Sequence, residues 1–533
     1  MGARGFRNGV VIRTGTIALA LAAAGPALAQ DAARMDSIER QIRALQSELS
    51  RLRREATARD AEARTAREEA ARARAEAREE TARARAEARE AQRRLDTTAR
   101  PAAAPAQPRP ETESSPGERA LVSFPNGRPT IKSSDGRMEF SIGGQLQFDV
   151  GGAIYGAPGP RDQRGLPELN AFGQNLRRGR LYVAFRYDDV EVRITPEFGG
   201  LTAGTPTIFE AHLNWMPVEP LTMTLGYFEP WYTLYDSMSK DDYRMLEWPS
   251  IIEIARNITA GTARAVAGGR WAQDRWFASA YLTGDFYGQD NETRATRGQT
   301  GFVGRVAGRP YVTPDVDLHL GFSGSYSFDL RRQTDGQTLR LSDQPEFSLD
   351  SQTLIDTGRL PAKNANTWGP EFAIRWRNFL LQGEYIRIGV DQSNTRGVVR
   401  PNLSFEGGYV EASWVITGET QPYNPTAAAF ARPDPARPFS LREGGWGAWE
   451  LAARYSVADL NDRVRRGVSQ TVTGGVFGGR QEVIGTSLSW YPNNFLRFLL
   501  NWNIVNVDRL NASGTTQIGQ RFHTIGLRSQ LQF

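Results

Sequence analysis

The chain ends on Gln520-Arg-Phe-His-Thr-Ile-Gly-Leu-Arg-Ser-Gln-Leu-Gln-Phe533. Ile525, Leu527, Leu531 and Phe533 share one parity, with polar side chains between them. A period of two is the mark of a strand with one apolar and one polar face. Further upstream, Phe140, Ile142, Leu146, Phe148 and Val150 alternate with Ser141, Gln145, Gln147 and Asp149. Leu181, Val183, Phe185 and Tyr187 alternate with Arg178, Arg180, Tyr182 and Arg186, and Val190, Val192 and Ile194 with Glu191, Arg193 and Thr195. Other strand-like segments begin near 207, 221, 260, 274, 301, 315, 367, 378, 404, 445, 481, 494 and 519, which makes about sixteen. The polar partners are often charged. A sandwich core would reject them, whereas a lipid-facing barrel around a wet lumen accepts them.

The connections alternate in length. They are short at 187–189, 216–220, 270–274, 309–314, 377–378 and 491–494, and long at 152–174, 229–259, 285–300, 329–366, 391–403, 458–480 and 510–518. Short turns at one end and long loops at the other suit an outer-membrane barrel. The Pro-rich segment 418–444 breaks the rule, being long on the short-turn side. Trp215, Trp276, Trp376, Trp414, Trp449, Trp490 and Trp502 fall on the apolar parity, as an interfacial girdle would. The predicted fold is therefore an all-β transmembrane β-barrel of about sixteen antiparallel strands over residues 121–533.

One connection stands apart. After the alternating strand Leu221–Phe228, Glu229-Pro230 ends the ladder, because proline has no N–H to donate. The stretch from Trp231 to Pro249 is too long for a hairpin and too aromatic to be left in water. Such loops pack against something and tend to carry function. In a barrel the nearest surface is the lumen, so an inward-folded loop is expected at 229–259.

The N-terminal part is different. Arg4, Arg7 and Arg13, the apolar run Thr16–Ala24 and Ala27-Leu28-Ala29 read as a secretory signal peptide over 1–29. Residues 30–96 follow as a coiled-coil stalk. Met35, Ile38, Ile42, Leu45, Leu49 and Leu52 form a heptad seam, which then decays to an Ala/Arg/Glu rod repeating ARARAEARE. Residues 97–120 are a Pro-rich linker. The net charge of +5 belongs to the leader and the rod, since residues 121–533 hold equal numbers of basic and acidic side chains. The basic balance therefore says nothing of pore selectivity, and the near-equal charge of the rod argues against nucleic acid as a partner. Cysteine is absent, which excludes disulfides and thiol chemistry. His212, His319 and His523 lack metal-ligand spacing and face no evident nucleophile, so no enzyme, metal or cofactor is expected.

The large domain resembles the phosphate-selective porin O and P family. The resemblance rests on Gly143-Gly-Gln-Leu-Gln147, Leu176-Arg-Arg-Gly-Arg-Leu-Tyr-Val-Ala-Phe185 and Leu225-Gly-Tyr-Phe-Glu-Pro-Trp-Tyr-Thr-Leu234 with Ser237–Lys240. Gly407–Glu419, Gly447–Tyr455 and the terminal strand complete it. A chain ending on such a strand with Phe533 also resembles the signal read by bacterial outer-membrane assembly machinery. The family likeness implies a sixteen-stranded homotrimeric barrel in outer-membrane lipid, with the third long loop folded inward. It implies wall arginines that lead small anions, inorganic phosphate or polyphosphate, to a constriction. Carried over by position, the pore-lining candidates are Arg177, Arg178, Arg180 and Arg305, with Lys240 on the loop. Guanidinium stays charged and forks onto phosphate oxygens. Gln145, Glu229 and Asp236 depart from the pattern at places where basic residues would serve anions. The alternative function is a stalked barrel that tethers the envelope and contacts the cell wall from the periplasm, with weakly selective conductance.

Overall fold

The computed structural model describes residues 120–154, 169, 172–200, 206–261, 263–288, 298–330, 332–333, 336–393 and 399–533. The expected leader, heptad stalk and nearly all of the linker lie outside the described residues. Sixteen wall strands follow one another in the chain. They are β1 (Met138–Ile154), β2 (Gly173–Tyr187), β3 (Val190–Glu197), β4 (Thr207–Val218), β5 (Leu221–Phe228), β6 (Arg264–Ala272), β7 (Trp276–Phe286) and β8 (Thr300–Val312), then β9 (Val316–Asp329), β10 (Leu360–Trp376), β11 (Phe379–Gln392), β12 (Leu403–Val415), β13 (Ala448–Asp462), β14 (Val476–Tyr491), β15 (Leu496–Asp508) and β16 (Arg521–Gln532).

Each strand pairs antiparallel with its sequence neighbours, and β16 returns to β1. Ile525 lies opposite Gly152 and Leu531 opposite Leu146 across that seam. Closure leaves no open edge strand, so the backbone polar groups of the wall pair mainly inside the sheet. Below the seam, Phe533 and Gly144 exchange two backbone hydrogen bonds of 3.0 Å. A short hairpin, Ala120–Ser123 with Thr130–Ser133, continues the wall by pairing with 139–141 of β1.

The faces are inverted relative to a soluble domain. Gln147, Asp149, Arg178, Arg528 and Gln530 are buried in the lumen, while Leu146, Phe148, Leu181, Leu527 and Leu531 are exposed outside. Trp215, Trp276, Trp376, Trp414 and Trp502 all lie on that outer face, and Trp376, Phe379 and Trp414 stack there with ring centroids 6.1 and 5.6 Å apart. No described helix is long and apolar enough to cross a membrane.

The lumen is filled from both ends. From the long-loop end, the β5–β6 connection carries α1 (Leu234–Ser237) and α2 (Ser250–Thr259) into the barrel. Tyr232, Leu234, Tyr235, Ile251, Ile252 and Ala255 of this connection are wholly buried. Each large apolar side chain contributes roughly 1.5–3 kcal/mol of burial. Wall glycines permit the approach. A Cβ at Gly407 would stand 2.9 Å from Ile251, and one at Gly526 only 2.5 Å from Leu246. The expected start of β6 near 260 is delayed to Arg264 because α2 runs to Thr259. From the short-turn end, the exceptional segment 418–444 also enters, within a connection that runs on to residue 447. Its two short strands, Tyr423–Asn424 and Ala429–Phe430, pair with each other. Phe430 and Ala427–Ala429 are buried.

Deleting Phe533 removes the exchange with Gly144 beneath the seam. The expected result is a lower yield of heat-modifiable barrel in the outer membrane, read by gel mobility with and without boiling. Insertion at the full-length level would contradict this role.

Candidate functional site

The inward β5–β6 loop is held by charge as well as by apolar contact. Glu229 at its start and Asp236 on α1 both face Arg256 of α2, the Arg256–Asp236 distance being 2.5 Å. Lys240 joins the same cluster, 3.1 Å from Glu229 and 3.7 Å from Asp236. The two halves of the loop are thereby fastened to each other. The loop is also fastened to the wall. Glu384 of β11 accepts the N–H groups of Leu234 and Tyr235 at 2.9 and 2.8 Å. Arg244 lies 3.5 Å from Glu411 and 3.2 Å from Glu450. A second long-end segment adds Glu346, which accepts from Ser250 N–H, Arg454 and Ser456.

Four of the candidate residues meet around this loop. Gln147 pairs with Arg178 while Phe148 pairs with Leu176, so Arg177 is the extra residue of a β-bulge. The bulge lets two consecutive arginines reach the loop. Arg177 makes a bidentate pair with Glu247, at 2.6 and 2.9 Å. Burial alone would raise the Glu247 carboxyl, but Arg177 beside it holds it down at about 2. Arg178 donates to Gln147 Oε1 at 2.5 Å. Among the described residues its Nε and one Nη have no hydrogen-bond partner, although the side chain is fully buried. Trp248 is the common neighbour of the cations. Its ring lies 5.5 Å from Arg177, 4.9 Å from Arg178, 5.4 Å from Lys240 and 5.1 Å from Arg256. Each such contact is worth about 0.5–2 kcal/mol where water is excluded. Arg180 pairs with Glu197 at 2.5 Å and lies over Phe209.

Arg305 is elsewhere. It pairs with Glu371 at 2.8 Å and donates to the carbonyls of Ala427 and Ala428, so it grips the short-end segment. His319 shares Glu371 and meets Tyr423 Oη at 2.9 Å. These partners lie 52 to 123 residues from the residue they meet, and no sequence spacing marks them.

Three spaces flank the cation layer. A 270 Å³ cavity at the long-loop side includes Arg177, Glu247, Trp248, Glu253 and Asp343. A 220 Å³ cavity beyond it includes Arg180, Lys240, Glu229 and Asp236. It shares Tyr182, Arg193, Ser239 and Asn424 with a 690 Å³ vestibule at the short-turn end. Carboxylates therefore stand beside basic groups along the whole lumen. Among the described residues no group of three or more His, Asp or Glu side chains could hold a metal ion.

The model of a family described as phosphate-selective porin O and P matches residues 140–533. A protein of Caulobacter vibrioides described only as uncharacterised is 27% identical over 470 residues, covering 82% of this chain and 84% of its own length. Among solved structures, the anion-selective porin from Comamonas acidovorans is 11% identical with a TM-score of 0.43, covering 74% of this chain and all of its own. The trimer form of OmpT from Vibrio cholerae is 10% identical with a TM-score of 0.43, covering 74% and 99%. The outer-membrane channel DcaP of Acinetobacter baumannii is 10% identical with a TM-score of 0.42, covering 74% and 97%.

Two expected outcomes follow from this geometry. Arg244→Ala leaves Glu450 buried without its ion-pair partner and Glu411 with only Arg454 at 3.7 Å, a change of the kind that costs about 3–5 kcal/mol. The loop should loosen, raising single-channel conductance and opening the 231–258 segment to protease; unaltered conductance and protection would show that the pairs do not hold it. The second concerns Asp242, which lines the vestibule and accepts from the Arg432 N–H. Burial pushes its carboxyl up to about 6. As pH falls through that value the group gains a proton and the vestibule loses a negative charge. Reversal potentials at pH 5 and 7.5 should show anion preference rising at the lower pH, and Asp242→Asn should abolish most of that change.

Proposed function

Because the chain belongs to the phosphate-selective porin O and P family, we propose that it is an outer-membrane diffusion channel with a modest preference for small anions. The carrying observation is Arg178, a fully buried guanidinium with unused donors, set in the wall between Arg177 and Arg180, which line the two smaller cavities. A buried charged donor without a partner is costly, and a passing carboxylate or phosphate oxygen would satisfy it. Arg177, Arg180 and Lys240 surround the same passage but each already faces a carboxylate. That pairing supports weak selectivity over a dedicated phosphate filter. Arg305 acts in this reading as an anchor for the 418–447 segment, and inorganic phosphate or polyphosphate are permitted solutes with no dedicated site.

The homotrimer in outer-membrane lipid, with residues 30–96 in the periplasm, belongs to the same reading. An even strand count puts both barrel termini on the short-turn side. The heptad seam Met35–Leu52 favours self-association of the stalk, and barrel trimerisation would raise its effective concentration. A tethering role through a cell-wall contact of that stalk is the second reading, supported by a rod that a pore alone does not need.

The test is ion preference in planar bilayers under a KCl gradient. Arg178→Gln should move the reversal potential toward cations, whereas Arg305→Gln should leave ion preference within error while loosening the short-end segment. An unchanged potential in Arg178→Gln would remove that residue from the ion path.

A further inference from the structure

The 220 Å³ cavity combines both signs of charge with a wall of aromatic rings. Glu210 of β4 projects toward it, nearly buried, and accepts a hydrogen bond from Thr195 at 2.9 Å. Among the described residues it has no lysine or arginine partner, and its nearest basic neighbour is His212 at 3.9 Å. Arg193 of β3 lines the same cavity and keeps about a third of its side chain exposed, with a single pair to Glu191 at 3.1 Å. Thr195 lies opposite Glu210 and Arg193 opposite His212, so Arg193 and Glu210 are diagonal neighbours on one face. Diagonal positions stand roughly 7–8 Å apart at the backbone. Phe209, Phe228 and Trp231 supply the apolar side, with Phe228 and Trp231 centroids 6.1 Å apart.

A carboxylate in no direct ion pair with lysine or arginine, a guanidinium with room for a second acceptor, and a ring surface beside them make a three-point lining. A simple anion meets Glu210 as well as Arg193, and a simple cation meets the reverse. A dipolar solute satisfies both, and each contact is a charge-assisted hydrogen bond. We infer that this cavity is a selection point for zwitterionic solutes with an apolar side group, the class of the apolar amino acids. The ammonium is read by Glu210, the carboxylate by Arg193 and the side group by Phe228 and Trp231. The inference rests on the channel reading above and names a solute class within it.

Liposome swelling tests it, because zwitterions and sugars are both net neutral. Full-length protein in liposomes should admit valine several-fold faster than arabinose. The double variant Glu210→Gln with Arg193→Gln should bring the valine-to-arabinose ratio toward one. A ratio near one for the unaltered protein, or an unchanged ratio in the variant, overturns the assignment while the channel reading stands. Failure of arabinose itself to enter would overturn the channel reading and this one with it. A measurement on the unaltered protein guards against a variant that does not fold. Valine should reduce single-channel current more than N-acetylvaline, which lacks the ammonium, and more than valinamide, which lacks the carboxylate. Equal reduction by all three overturns the assignment.

Discussion

The structure depends on pairing charge inside a barrel. The lumen-facing parity of the wall is rich in arginine and glutamate, and the inward loop removes water from much of it. An isolated buried charge is untenable, so each needs a counter-charge or a full set of hydrogen bonds. Arg244 between Glu411 and Glu450, Arg454 on Glu346, Arg528 on Asp149 and Arg305 on Glu371 meet that demand. Apolar burial along Tyr232–Ile258 supplies attraction without direction. The ion pairs supply direction, because a guanidinium fork accepts a carboxylate in few geometries.

The same pairing limits what the pore can do. A wall arginine already held by glutamate presents little net field to a passing ion, since the two charges screen each other at short range. In the reading proposed above, ion preference is set by the few groups left over. Arg178 is one, with donors unused, and Glu210 is its opposite in sign. The lumen is thus closer to a row of dipoles than to a basic funnel, which agrees with the balanced charge of residues 121–533.

The wall was legible because its physics is periodic. Alternation such as Phe140–Val150 and the short turns at 187–189 and 377–378 need only local information, and left-handed Asp188 and Arg377 seat those turns. The aromatic run from Trp231 gave a reason for the loop to pack. What stayed hidden depends on tertiary contact. Arg177 enters the site through a bulge that parity cannot show. Arg305 reads as a lumen cation, yet its partners Glu371 and Ala427 come from β10 and the 418–447 segment. The excess length of that segment was visible; its descent onto Arg305 and His319 was not. Glu210 carried no motif, and only the tertiary structure shows it as a buried carboxylate without an arginine or lysine ion pair beside Arg193 and two aromatic rings.

The central claim is that the β5–β6 loop, held across the lumen by buried ion pairs, is what narrows an otherwise wide barrel. Single-channel conductance of the unaltered protein against a variant with residues 231–258 replaced by a short Gly/Ser linker tests this most directly. The account predicts small steps for the unaltered protein and steps several-fold larger for the variant, with the barrel still heat-modifiable. Equal steps from the two proteins would contradict it.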